Sequence, residues 1–461
     1  MIYCMIHLMK AQQKGIIGKP YLFGACFLII CILGSRTTYS QGRDTVSSLS
    51  LKQCIDYALQ HQPALQQTII RTNIAKATNA INLSGWYPQV GVTANLNHYL
   101  QQPTTLSSIN GVETPIKTSV TNSSTPALGV TQNIFNPSLI YATRIAPLNT
   151  KAAQQAVDSS KIELVADVSL SFYTLLLTLQ QIGVLKEDTA RLGESLRTAY
   201  HQYVGGIVDE TDYEQAQITL NTSLGQLVQA QENVWPQYAA LKQLMGFPQN
   251  QQFNVAYDST SMLNDIEIDV SEELQYDKRI EMKQLATQKD MQHELTRYYQ
   301  RTSIFPTLSG FFNYNAAFQN NVFTQLYNVA YPNSIVGLTL SLPVFTGFAR
   351  VQNARRSRFV EQILDWSETN LKSTIYSQYA TALASYRGNF YNMRQMKDNV
   401  TLARRVYFVV DLQYKQGIVP YLNVITAETN LRTAELTYLN ALFQTLSSKI
   451  DWQKAMGDIK Y

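Results

Sequence analysis

The segment YVGGIVDETD, residues 203–212, returns in altered form as YKQGIVPYLN, residues 414–423, 211 positions later in a chain of 461. Each begins with a tyrosine, carries Gly-Ile-Val, and continues with a residue suited to opening a helix, Asp209 in one case and Pro420 in the other. Glycine takes the left-handed conformation that ends a helix, and aspartate or proline favours the start of the next. Both segments therefore read as tight turns joining two helices. The echo extends past the turn: without a gap, Ala216, Leu220, Thr222, Ala230, Met245 and Gly246 fall on Ala427, Leu431, Thr433, Ala441, Met456 and Gly457. Self-similarity at one long offset implies duplication. Residues 41–251 form a first structural repeat and 252–461 a second.

The flanks of the two turns carry long helical seams. Apolar residues step by three and four through Ile162, Val165, Val168, Phe172, Leu175, Leu179, Ile182 and Leu185, and again from Ile375 through Tyr386, Met393, Val400 and Tyr407 to Tyr414. This is the spacing of coiled-coil-like rods. Sixty or so residues at 1.5 Å each extend to roughly 100 Å. Pro147 is expected to bend the first rod near its start and Pro236 to disturb the helix after the first turn.

Between the rods lie four alternating stretches, at about 89–100, 126–135, 308–319 and 334–345. In the first, Val90, Val92, Ala94 and Leu96 oppose Gly91, Thr93, Asn95 and Asn97; in the last, Val336, Leu338, Leu340, Leu342 and Val344 oppose Gly337, Thr339 and Ser341. One apolar and one small polar face over about ten residues is the pattern of a strand between lipid and water. A half-buried sheet of a soluble domain shows the same alternation on its own. Four strands cannot enclose water, because barrel width grows with strand number, so a barrel reading requires strands from further copies of the chain.

Residues 1–40 read as an export signal, with Lys10, Lys14 and Lys19 ahead of the apolar run YLFGACFLIICILG. Without them the chain loses Lys10, Lys14, Lys19 and Arg36 and no acid, leaving 33 basic residues against 33 acidic. Such neutrality argues against nucleic acid as a partner. Three of four cysteines leave with the signal, and Cys54 alone allows neither an internal disulfide nor a cysteine metal cage. His61, His98, His201 and His293 lack metal-ligand spacing, and neither a phosphate-binding glycine loop nor a nucleophile elbow is present. No catalytic, cofactor-binding or metal site is expected; the chain does not read as an enzyme.

Taken together, the duplicated order of helix, two strands and two long helices, with its paired Tyr-x-x-Gly-Ile-Val turns, resembles the TolC-type outer-membrane efflux proteins. The resemblance implies a mixed α and β fold in which each chain gives four strands to a twelve-stranded outer-membrane barrel closed by a homotrimer. A long α-helical barrel continues it across the periplasm, and residues near 247–269 with the C-terminus add an equatorial belt. It further implies a passive exit duct in a tripartite efflux or type I secretion system, driven by an inner-membrane pump through a periplasmic adaptor. Among pumps, the resistance-nodulation-division type is favoured. Carried over residue by residue, Gly206, Ile207, Val208, Gly417, Ile418 and Val419 match adaptor-docking tips, and Asp212 and Tyr414 match a pair that links neighbouring hairpins in the closed state. Asn423 and Thr426 stand where the family carries aspartates around its narrowest point, while Thr211 and Val419 stand at a second latch whose arginine is absent here. A general porin or a structural coiled-coil stalk is the alternative, the first explaining the strands but not the rods, the second the rods but not the strands.

Overall fold

The structure, a computed structural model, describes residues 48–109, 112–256, 266 and 273–461. The signal segment expected over 1–40 and most of 257–269 lie outside them. Strand β1 (Ser48–Leu49) leads into α1 (Leu51–His61), which starts with a capping box: the Ser50 hydroxyl accepts from the Gln53 N–H at 3.4 Å, and the Ser50 N–H donates to the Gln53 side chain at 2.8 Å. Pro63 opens α2 (Pro63–Leu83), at a position whose N–H has no helical partner in any case. The chain then runs through β2 (Gln89–Thr93), β3 (Leu96–His98), β4 (Thr104–Ile109), β5 (Val112–Lys117), β6 (Asn122–Ser124) and β7 (Ala127–Phe135). The first rod follows as α3 (Pro137–Val204), with α4 (Glu210–Glu232), α5 (Val234–Met245) and β8 (Asn254–Val255) after it.

The second half contains α6 (Ile280–Arg297), β9 (Thr307–Asn320), β10 (Ala330–Ser341), a second rod α7 (Ala349–Lys415) and α8 (Tyr421–Met456). The rods have 68 and 67 residues, about 100 Å each at the helical rise. The first remains helical through Pro147. Pro236 sits in the first turn of α5, where a missing N–H is harmless, and the break falls just before it at Asn233.

Among the described residues four buried clusters hold the helices. Cys54, Ala58 and Leu65 from α1 and α2 pack with Val168, Phe172 and Leu175 of α3 and with Leu241 and Met245 of α5. Near the turns, Ala199 and Ala216 pack with Tyr414, Tyr421 and Val424, so the two helical hairpins touch. At the other end of the rods, the strands of both halves join one antiparallel sheet: β2 pairs β7, β7 pairs β9, and β9 pairs β10, while β3 and β6 extend the first two strands after short interruptions. The ribbon order is thus the chain order.

Register sets the faces. Val90, Val130, Phe312 and Val336 are cross-strand neighbours, as are Val92, Leu128 and Tyr314. This row projects outward, with Val336 79% and Leu338 71% exposed. On the opposite face stand Gly91, Gly129 and Asn313, and then Thr93, Ala127, Asn315 and Asn333, the last two joined by a 2.9 Å hydrogen bond. Among the described residues, β2, β3 and β10 each pair along one side only.

Strand limits differ from the alternation. The fourth strand is Ala330–Ser341 rather than 334–345, leaving Leu342 and Val344 beyond it. Pro343 has no N–H for the ladder, whereas Pro332 is tolerated because β10 is an edge. The loop between β3 and β6 contains the hairpin β4–β5, which the alternation did not reveal.

Candidate functional site at the hairpin tips

The paired turns have the same backbone. In the first, Gly206 has φ 71°; its N–H donates to the Tyr203 carbonyl at 2.9 Å and the Ile207 N–H to the Gln202 carbonyl at 2.8 Å. In the second, Gly417 has φ 72°, and the N–H groups of Gly417 and Ile418 donate to the Tyr414 and Gln413 carbonyls, each at 2.9 Å. These are Schellman caps, in which a left-handed residue lets two late carbonyls find donors. Side chains beyond the glycine then point away from the rods: Ile207 is 71% and Ile418 65% exposed, while Val208 and Val419 are half-buried. Each tip therefore presents one bare isoleucine beside a valine that closes the turn, and Val419 packs onto the cluster beneath. Gly206 and Gly417 have open space where a Cβ would stand.

Behind the tips, Tyr414 is 3% exposed and its ring lies 5.3 Å from that of Tyr421. Its hydroxyl has no hydrogen-bond partner among the described residues. Burial, with the nearby Asp212 charge, pushes the Tyr414 phenol up to about 12, and burial with Tyr414 alongside pushes that of Tyr421 higher still. The fold thus brings Tyr414 and Asp212 into each other's field without a bond between them. Asn423 and Thr426 lie apart, on the exposed face of the first turns of α8, opposite buried Tyr421 and Val424. Thr426 donates its hydroxyl to the Leu422 carbonyl at 2.9 Å. Thr211 is likewise exposed, on the first turn of α4.

One group of charged residues escaped the sequence reading: Asp188 and Arg191 on α3 with Glu428, Arg432 and Glu435 on α8, where the two hairpins touch. Glu428 and Glu435 are one heptad apart on the strip of buried residues Tyr421, Val424 and Leu431. Acids at seam positions are the signal that exposes them.

Comparisons with known proteins bear on the fold as a whole. Residues 54–247 match the family described as outer membrane efflux protein. Among solved structures, CusC, described in terms of transmembrane channel formation, shares the fold at TM-score 0.71 and 16% identity, covering 88% of this chain and 91% of its own. The outer membrane protein VceC of Vibrio cholerae gives 0.68 and 15%, covering 88% and 96%, and the outer membrane channel CmeC of Campylobacter jejuni gives 0.66 and 18%, covering 88% and 85%. Among curated proteins, no sequence matches significantly. The family match thus spans residues 54–247, and the fold shared with these outer membrane proteins extends over most of both halves of the chain.

Proposed function

We propose that this chain is one third of a passive exit duct in the outer membrane, reaching into the periplasm and powered by an inner-membrane pump. The observation that carries the reading is the junction of two 100 Å class rods with a four-stranded sheet whose exposed face is a continuous apolar row. Such a row suits acyl chains, and the small polar face behind it suits a water-filled lumen. The unpaired sides of β2, β3 and β10 support closure with two further copies into a twelve-stranded barrel, since closing a sheet removes its edges. The rods and their partner helices would then line a helical tunnel. On this reading residues 1–40 are the export signal, and 41–251 and 252–461 descend from one duplicated unit; their common order of elements and matching caps support that.

The tips are assigned to the adaptor: Ile207 and Ile418, with Gly206, Val208, Gly417 and Val419, offer two similar apolar points per chain. Asp212 and Tyr414 belong to the closed aperture, where the unpartnered Tyr414 hydroxyl is available to a group on a neighbouring hairpin. Asn423 and Thr426 face the narrowest point, and a pump of the resistance-nodulation-division type is favoured. Outer membranes solubilised in detergent should yield a trimer that conducts ions in planar bilayers. Photo-crosslinkers at Ile207 and Ile418 should capture a periplasmic adaptor. A compact monomer that stays in water and never enters lipid would overturn the duct.

A further inference from the structure

Where the hairpins meet, all four helices contribute to one buried charged group. Asp188 is fully buried on α3, and Glu428 is 2% exposed on α8. Arg191 of α3 donates to Glu428 at 2.9 Å and stands 3.7 Å from Asp188 and 3.8 Å from Glu435. Arg432 of α8 reaches Asp188 at 3.3 Å, and Arg404 of α7 reaches Glu435 at 2.7 Å. Ser223 of α4 donates its hydroxyl to Asp188 Oδ2. Tyr407 of α7 lies under the Arg191 guanidinium, 5.7 Å from ring centre to carbon. Glu187, on the exposed side of α3, lies 3.9 Å from Arg191.

The distribution is uneven. Glu435 and Asp188 each have a cation besides Arg191, but among the described residues Glu428 has Arg191 alone, which the other two acids also draw on. Meanwhile Asp188 Oδ1 is buried and has no hydrogen-bond donor among the described residues. Asp188 and Glu428 lie side by side and buried, with Arg191 divided among three acids, so keeping both ionised is costly; one proton on Glu428 removes a charge and supplies the missing donor. We propose that Glu428 holds this proton against the Asp188 carboxylate and forms a proton-controlled latch between the two helical hairpins, packed when the proton is held and loosened when it is lost.

Burial, and then the Asp188 carboxyl alongside, push Glu428 up to about 8 from an ordinary 4.5, against the opposing pull of Arg191. The sign follows from linkage. Between those values the packed junction holds a proton that a separated one releases, so packing weakens as pH rises through the window and the loss is complete above it. The effect on an aperture rests on the duct reading; the junction itself can be tested without it.

The test is hydrogen–deuterium exchange of the 421–432 peptide in the detergent-extracted full protein, corrected for the intrinsic pH dependence. Between about pH 6 and about pH 9, wild-type protection should fall by at least about tenfold, the factor carried by one unit of pKa. Glu428→Gln keeps the size and hydrogen-bonding of a neutral carboxyl, so it should retain protection at both values. Asp188→Asn should flatten the profile too, giving a second route if one variant folds poorly. Protection in the wild type that is unchanged across this range, or that falls equally in a folded Glu428→Gln or Asp188→Asn protein, overturns the latch.

Discussion

At the scale of single residues, the glycines of the repeated phrase show how one residue type serves two purposes. Gly206 and Gly246 both have positive φ, 71° and 67°. A Cβ on Gly206 would meet nothing, whereas one on Gly246 would stand 2.6 Å from the His61 carbonyl oxygen. Gly206→Ala should therefore cost only the left-handed penalty, about 1–2 kcal/mol. Gly246→Ala should cost clearly more, because backbone of the α1–α2 turn must also move. Chemical denaturation of the two variants checks the order; equal losses would refute the close approach as its cause. The sequence announced both glycines through the 211-residue echo, but it could not distinguish an open turn from a crowded one. That difference depends on His61, nearly 190 residues away. The same limit hid the Asp188 cluster: spacing puts Glu428 and Glu435 on one seam, but only packing brings Asp188 of α3 against them.

At the scale of elements, alternation located the sheet but not its exact ends. Period-two patterning reports which face a side chain takes, yet strand ends depend on the ladder, and Pro343 ends β10 by lacking a donor. The β4–β5 hairpin escaped notice because Thr, Ser and Pro dominate it, and its pairing is a backbone property. The exposed row makes a prediction that needs no knowledge of the cargo. Val336 lies near the middle of β10, beside Phe312 and outward-facing, while Thr339 points to the other face. Val336→Arg should destabilise folding into lipid vesicles by about 2–4 kcal/mol, the cost of a cation near the bilayer midplane. Thr339→Arg on the polar face should cost much less. Denaturant titration in vesicles measures both, and an equal tolerance would mean that the Val336 face does not meet lipid.

At the scale of the whole molecule, what the sequence conveyed best is what repeats, since rods, strands and turns each occur twice and reinforce one another. What it conveyed least is the chemistry where chains or hairpins converge, because that depends on residues brought together from distant helices. Asn423 and Thr426 illustrate the consequence. They occupy exposed positions one turn apart on α8, uncharged, while the acids Asp212 and Glu214 sit in the first turns of α4. If three chains close around this point, a neutral pair on each gives little electrostatic preference, since ion selectivity in a narrow pore follows rings of like charge. The wild-type duct should accordingly show only modest cation preference in reversal-potential measurements across a salt gradient. Replacing both residues, Asn423→Asp with Thr426→Asp, installs two carboxylates per chain, repeated by symmetry, and should shift the reversal potential strongly toward the cation limit. The change should shrink as ionic strength rises, because screening shortens the reach of exposed charges to about 10 Å at 0.1 M salt. A double variant that leaves the reversal potential where it was would place these residues away from the narrowest point and move the selectivity of the aperture to Asp212 and Glu214.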